Sequence, residues 1–262
     1  GKGAGSVSTN TAVGASALPA NTTGNYNSAF GNLALYTNTT GQYNTGIGQG
    51  ALYLNNGSLN TAVGVSALQN NTTASYNTAV GYQAGYSNTT GTELSLFGYK
   101  AGYSSTGGAT TAVGSNAAYS TTGGDITAVG YYAGYGNTTG GQNAAFGHRS
   151  MQGNTTGNYN TALGAQSLYS NTTASNNTAV GYQAGYSNQT GVDSAYLGYQ
   201  AGYGNTSDRN VGIGRGVLFA SGAGSYNAGV GYAALNSNTS GNYNTAHGAY
   251  ALNANTTGYN NT

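Results

Sequence analysis

The sequence predicts an all-β fold, a parallel β-solenoid of about fifteen rungs, and three observations lead there. A glycine recurs at 14, 31, 48, 64, 81, 98, 114, 130, 147, 164, 181, 198, 214, 231 and 248, every interval being 16 or 17 residues. Around it runs a consensus close to N-T-A-V-G-x-x-A-L-x-x-N-T-T-G-x-Y, as in Asn60 to Gly64 followed by Ala67, Leu68 and Asn71 to Thr73. The composition is that of a repeat protein: of 262 residues 47 are Gly and 25 are Tyr, against five Lys and Arg and four Asp and Glu. A disordered chain would carry high net charge and few aromatics, whereas this one has a formal net charge of +1 and regularly placed rings.

Each part of the rung has its own chemistry. A stretch such as Asn77, Thr78, Ala79, Val80, Gly81 puts Thr and Val on one face and Asn, Ala and Gly on the other, the period of two expected of a strand. The residue before the glycine is apolar in fourteen rungs, and this one-residue strip is read as the core, with His247 a packing variant within it. Ala follows three residues after the glycine in twelve rungs, replaced by Ser150, Ser167 and Val217. A second short strand is expected through the A-L or A-G-Y part, and N-T-T-G supplies turn residues that tolerate left-handed backbone angles. Helices are disfavoured, because nearly every rung holds several Gly, Asn and Thr.

A rung that cannot bury its own apolar face gains a continuous core by stacking on copies of itself. At a strand spacing of ~4.8 Å the expected stack is roughly 70 Å long. Identical side chains then form ladders. Tyr columns are expected five residues before the glycine (such as Tyr26, Tyr43, Tyr226, Tyr243), one after it (Tyr82, Tyr99, Tyr182, Tyr199) and five after it (Tyr36, Tyr53, Tyr86, Tyr103, Tyr186, Tyr203). Residues 60 to 103 match 160 to 203 at an offset of 100, so duplication of a six-rung block is expected within one continuous domain of residues 1–262. The least regular rungs, around Thr92 to Phe97 and Val192 to Leu197, occupy equivalent places in the two blocks. The apolar content of a rung looks small beside the cost of ordering some 17 residues at ~1 kcal/mol or more each. A homo-oligomer is therefore expected, its chains meeting through the small-residue face or a Tyr column.

At this point the residues carry a family likeness. N-T-A-V-G-x-x-A resembles the S-V-A-I-G-x-x-A repeats in the head of trimeric autotransporter adhesins of the YadA type. It is also similar to the N-T-A-V-G-Y-Q-A-L-Y-S-N-T-T-G arrays of tail-fibre-like proteins of phages and bacterial surfaces. The resemblance covers nearly the whole chain and implies a left-handed parallel β-roll, assembled as a trimer, exposed on a cell or virion and working in attachment. The rung here is longer than the adhesin rung, and no neck, coiled-coil stalk, membrane anchor or self-cleaving chaperone domain is recognisable.

Several classes of chemistry are excluded or disfavoured. The basic residues Lys2, Lys100, Arg149, Arg209 and Arg215 are scattered, which argues against nucleic acid as a partner. No Cys is present, no apolar run is long enough to span a bilayer, and the absence of a signal peptide and of an initiating Met suggests a portion of a longer protein. No metal or other cofactor is expected. His148 and His247 stand 99 positions apart, so no two-histidine metal site or histidine relay is expected within a chain. Glu93, Asp125, Asp193 and Asp208 lie on different rungs, whereas acid–base pairs need two carboxylates close together, so the chain reads as a non-enzyme. Asp208, Arg209 and Arg215 read as a surface charge cluster. Gly46, Gly48, Gly50 and Gly212, Gly214, Gly216 imitate phosphate loops but lack the flanking strand and helix.

The N-T-T turn creates sequons at Asn21, Asn38, Asn71, Asn88, Asn137, Asn154, Asn171 and Asn255, which are candidate glycosylation sites along one edge. The leading expectation is an adhesive or spacer segment of an extracellular or virion surface fibre, holding a host-cell glycan or other surface receptor by repeated weak contacts. One alternative is an ice-binding solenoid, because Thr stands eight residues after the glycine in twelve rungs. A further alternative is a self-polymerising extracellular filament subunit.

Overall fold

The computed structural model describes residues 7–220, 222 and 224–262, so Lys2 lies outside the described residues. The chain is a parallel β-solenoid of fifteen strands, about 14 turns of about 17 residues each, with no helix among the described residues. It divides into two compact units, residues 1–126 and 127–262.

In the first unit the strands are β1 (Thr11–Val13), β2 (Ser28–Phe30), β3 (Thr45–Ile47), β4 (Thr61–Val63), β5 (Thr78–Val80), β6 (Ser95–Phe97) and β7 (Thr110–Val113). Each pairs in parallel with the next, and the register superimposes like on like: Ala12 on Ala29, Val13 on Phe30, Ala62 on Ala79. β8 (Ile126–Val129) lies at the boundary of the units. The second unit continues with β9 (Asn143–Phe146), β10 (Thr161–Leu163), β11 (Thr178–Val180), β12 (Ala195–Leu197), β13 (Val211–Ile213), β14 (Ala228–Val230) and β15 (Thr245–His247), again paired in sequence order.

The rung glycine is fixed by two constraints at once. Its φ is +125° to +141°, a region open in practice to glycine alone. A methyl group on Gly64 would also stand 2.4 Å from the carbonyl oxygen of Gly81 on the next rung. Stacking at strand spacing leaves no room there for a side chain.

Among the described residues only one strand forms per rung, not two. The A-L segment after the glycine is a chain of turns, because its residues alternate into the left-handed region: Leu33 at φ 61° and Leu35 at 52°, Gln166 at 57° and Leu168 at 45°. Such angles forbid an extended run, yet the backbone stays paired between rungs. Leu33 donates its N–H back to Ala15 and Leu35 donates forward to Ala51, both at 3.0 Å. Left-handed backbone costs a non-glycine residue about 1–2 kcal/mol. Burial of the Leu side chain offsets that cost: Leu18, Leu35, Leu52, Leu68, Leu168 and Leu235 are all fully buried.

The two faces of the strand are the reverse of the sequence expectation. Ala or Gly two residues before the rung glycine points inward (Ala29, Ala62, Ala79, Ala145, Ala162 and Ala179 are fully buried), while the Val column points out. Val13 is 53% exposed and Leu163 50%. The reason is width. The interior must seat inward Ala, the Ala three residues after the glycine and the Leu after it, and these leave room for a larger residue on the strand only where the turns beside it carry glycine. His247 therefore replaces an outward valine and is itself exposed.

Volume is traded across this interior. Leu96 replaces Ala in β6, and the facing positions of the adjoining turns are Gly85 and Gly102, where a methyl group would stand 2.9 and 2.6 Å from the Leu96 side chain. In the second unit Tyr196 replaces Ala in β12 between Gly185 and Gly202, at 3.1 and 2.3 Å. Val217 likewise sits against Gly212 and Gly229. A large residue in one column is matched by glycine in the other, as close packing demands.

The rest of the interior is polar. Asn four residues before the glycine accepts, through Oδ1, the backbone N–H of its counterpart on the next rung: Asn27 to Asn10 at 2.8 Å, Asn77 to Asn60 at 3.0 Å, Asn177 to Asn160 at 3.0 Å. Its Nδ2 donates to a carbonyl of the following turn, as from Asn44 to Gly57 at 2.8 Å. The asparagine gives way to Leu94, Thr110 and Ile126, all buried, and to Ser194, whose Oγ accepts the Asn210 N–H at 3.1 Å in its place.

Candidate binding surface

The sequon asparagines form the second internal ladder. Asn21, Asn38, Asn71, Asn88, Asn137, Asn154 and Asn171 are buried, and Asn255 near the C-terminus is half-buried. Their Nδ2 groups close the N-T-T-G turn and run along the stack. Asn88 Nδ2 donates to Gly91 O at 3.0 Å and to Asn71 Oδ1 at 2.7 Å, and Asn154 Nδ2 to Gly157 O at 3.1 Å and Asn137 Oδ1 at 2.6 Å. The nitrogen that would carry a glycan is thus a core donor, and a glycan there is incompatible with the folded rung. These side chains are the interior, not an edge.

The threonines eight residues after the glycine are similarly committed. Thr22 Oγ1 donates to Thr39 O at 3.0 Å, Thr72 to Thr89 O at 2.9 Å and Thr155 to Thr172 O at 2.9 Å. Their hydroxyls splice rungs together and are not an open array.

What the chain offers to a partner is the outward face of the strands and the aromatic columns beside it. Along most strands Thr or Ser and then an apolar residue point outward in alternate positions, giving pairs such as Thr11 and Val13, Thr61 and Val63, Thr161 and Leu163, while β9, β12, β13 and β14 carry Ala144, Ala195, Val211 and Ala228 at the first of these positions and β15 ends in His247. Outward large residues include Phe30, Ile47, Phe97 and Val113 in the first unit and Leu163, Leu197 and Ile213 in the second. The expected Tyr columns are present. Before the glycine, Tyr26 stacks on Tyr43 at 4.8 Å and Tyr226 on Tyr243 at 4.8 Å. After it, Tyr82 meets Tyr99 and Tyr182 meets Tyr199, each at 5.4 Å. The third column holds Tyr86, Tyr103 and Tyr119 at 5.1 and 4.9 Å, and Tyr169, Tyr186, Tyr203 and Phe219 at 5.0, 5.0 and 5.1 Å. Parallel rings at the strand spacing follow from register alone.

The few charges are local. Arg209 Nε stands 3.4 Å from Asp193 Oδ2, both side chains somewhat under half exposed, and its Nη1 donates to the Tyr226 hydroxyl at 2.8 Å. Asp208 Oδ1 accepts the Val192 N–H at 2.9 Å. Arg215 does not join them, and lies between the rings of Tyr199 and Tyr232 at 5.3 and 5.8 Å. The expected cluster of Asp208, Arg209 and Arg215 is therefore two separate arrangements. His148 stacks on Tyr131 at 5.5 Å within an aromatic column. Glu93 and Asp125 are exposed. No group of three His, Asp or Glu side chains able to hold a metal ion occurs among the described residues. Gly46 and Gly212 lie in the strand column that faces the core, and Gly48 and Gly214 are rung glycines, so neither triplet forms an anion loop. No helix among the described residues is long and apolar enough to cross a membrane.

Among the described residues Tyr196 is the one large aromatic placed fully inside. Burial raises its phenol above the ordinary range, and its hydroxyl lies toward Ser194 and Asn210 but completes no hydrogen bond with either. Sequence reasoning marked this rung as irregular without assigning Tyr196 to the core; the flanking pair Gly185 and Gly202 was the available signal.

The chain matches no known protein family, no curated protein and no solved structure.

Proposed function

We propose that the chain is a structural repeat segment of an extracellular or virion surface fibre, adhesive or spacer, that assembles as a homo-oligomer, a trimer, and attaches through many weak contacts. The observation that carries this reading is the outward apolar column. The interior is completed by Ala, Leu and Asn without it, so one large apolar side chain per rung is left facing solvent. Covering a half-exposed Val, Phe or Leu is worth on the order of 1 kcal/mol each, and a column repeated rung after rung multiplies a small gain into a stable interface. Near absence of charge favours contact by shape and stacking over electrostatic steering. The Tyr columns that flank the strands would remain for glycans or other surfaces, with avidity replacing a strong single site. Sedimentation equilibrium tests the assembly: a species of about 78 kDa, three times the 26.0 kDa chain, supports it, and a monomer at all concentrations refutes it. Failure of the assembled chain to bind any cell, glycan or abiotic surface would leave a spacer only.

A second reading, ice binding, is favoured by one observation. The outward ranks of Thr and Val, as at Thr61 and Val63 or Thr78 and Val80, are regular and uncharged. The same face cannot be both buried between chains and open to ice. Thermal hysteresis in a monomeric preparation would select ice binding; none above a control protein would eliminate it.

A further inference from the structure

One place on the second unit departs from the repeat in three ways at once. The aromatic column Tyr169, Tyr186, Tyr203, Phe219 stops, because the next rung has Asn236 in place of a ring, so the face of Phe219 has no stacking neighbour on that side. Two residues after the rung glycine, where Gln183 and Gln200 stand on earlier rungs, Gly216 has no side chain. One residue after the glycine, where Tyr182 and Tyr199 stand, Arg215 replaces the ring. The result is a pit of about 250 Å³ lined by Gln200, Arg215, Gly216, Phe219, Tyr232 and Asn236.

We propose that this pit binds a single pyranose ring bearing a carboxylate. The proposal rests on the surface-attachment reading and names a ligand class for it. An apolar ring face fits against the uncovered face of Phe219, as sugar C–H groups do on aromatic surfaces. Arg215 lies between the rings of Tyr199 and Tyr232, and a guanidinium carries its N–H groups in its own plane, the arrangement that takes a carboxylate through two parallel bonds. It forms no ion pair among the described residues, since Asp193 is taken by Arg209 and Asp208 Oδ1 accepts the Val192 N–H. Asn236 Nδ2 donates to Gly216 O at 2.8 Å and Gln200 Nε2 to Gln183 Oε1 at 2.8 Å. Each amide oxygen is left to accept a sugar hydroxyl.

The test is a ligand-observed NMR titration of the full chain with methyl β-D-glucuronide and methyl β-D-glucoside. The glucuronide is expected to bind at least ~10-fold more tightly, a difference of about 1.4 kcal/mol, and Arg215→Gln is expected to erase the difference. Gly216→Gln is expected to abolish binding of both with an unchanged circular dichroism spectrum. That column already holds Gln200 at φ 54° beside Gly216 at 63°, and the new Cβ would meet nothing closer than 3.6 Å. Equal binding of the two sugars, wild-type affinity in Gly216→Gln, or no binding overturns the proposal. A chain that coats a polysaccharide surface yet binds neither monosaccharide overturns the pit alone; one that coats no surface refutes the attachment reading as well.

Discussion

Replacing Asn60 by Ala tests whether the polar ladders hold the rungs together. Asn60 is fully buried. Its Oδ1 accepts the Asn77 N–H at 3.0 Å, and its Nδ2 donates to Ala74 O at 2.8 Å and Asn55 Oδ1 at 3.1 Å. Ala74 O and Asn55 Oδ1 keep a second donor in Asn71 Nδ2, at 2.9 and 2.7 Å, so the group left stranded is the Asn77 N–H. One orphaned buried donor costs about 1–3 kcal/mol and each of the two other lost bonds about 1 kcal/mol. The expected destabilisation is therefore roughly 3–5 kcal/mol, large beside the effect of an ordinary surface change. Urea unfolding followed by circular dichroism, at one fixed protein concentration so that assembly contributes equally, measures it. Thr90→Ala, an exposed change in the same unit, is the control and is expected to stay within about 0.5 kcal/mol. A loss below about 1 kcal/mol for Asn60→Ala would refute the view that the ladder, and not apolar burial alone, carries the stability of the stack.

Gly102→Leu is expected to destabilise by several kcal/mol through overpacking against Leu96, while Gly102→Leu combined with Leu96→Ala restores the pattern of an ordinary rung and most of the stability; melting temperatures of the three proteins decide, and an additive double mutant refutes the exchange of volume. Burial raises the Tyr196 phenol above its ordinary 10.0, so the folded chain keeps a proton that the unfolded chain releases. Its contribution is fully present below pH 10 and is lost as pH rises beyond it. Tyr196→Phe should flatten part of the fall in melting temperature above pH 10, and an identical slope would count against a buried, un-ionised phenol. The folded fraction recovered from a host with N-glycosylation is expected to show the unmodified chain mass at Asn38, Asn71 and Asn154, and a glycan found there in folded protein would overturn the internal placement of the ladder. Phe97→Ser, on the outward column, is expected to shift sedimentation toward monomer with a change of only about 1–2 kcal/mol in monomer stability, because 41% of that residue is already in water.

The period of the glycine was enough to place every strand, because φ near +130° and the close approach of the next rung leave that site no alternative residue. Which face turned inward was not legible from hydrophobicity. A period of two offers two faces, and preference for Val over Ala chose the wrong one. The deciding quantity is interior volume, and its trace in the sequence is the coincidence of Leu96 with Gly85 and Gly102, and of Tyr196 with Gly185 and Gly202. The missing second strand has the same kind of origin: Leu35 and Leu168 look strand-compatible in isolation, yet stacking holds them at φ 52° and 45°. Asn in the N-T-T turn reads as surface by composition, and only its hydrogen bonds to the rung below, such as Asn88 to Asn71, reveal it as core. The pit beside Arg215 could have been found in the sequence as the rung where a Gly, an Arg and the end of a Tyr column coincide.

Register that sets each residue on its own counterpart has a genetic corollary. Where Asn meets Asn and glycine meets glycine, a rung copied or lost by unequal recombination leaves its new neighbours facing the same partners as before. Chain length can then drift by whole rungs without compensating substitutions. The positions that resist such drift are the volume-matched ones, since an extra rung inserted between Gly85 and Leu96 would part a large residue from the gap that receives it. The 100-residue echo, with Leu96 and Tyr196 each carrying its glycines along, is what inheritance of such a block as a unit would leave behind.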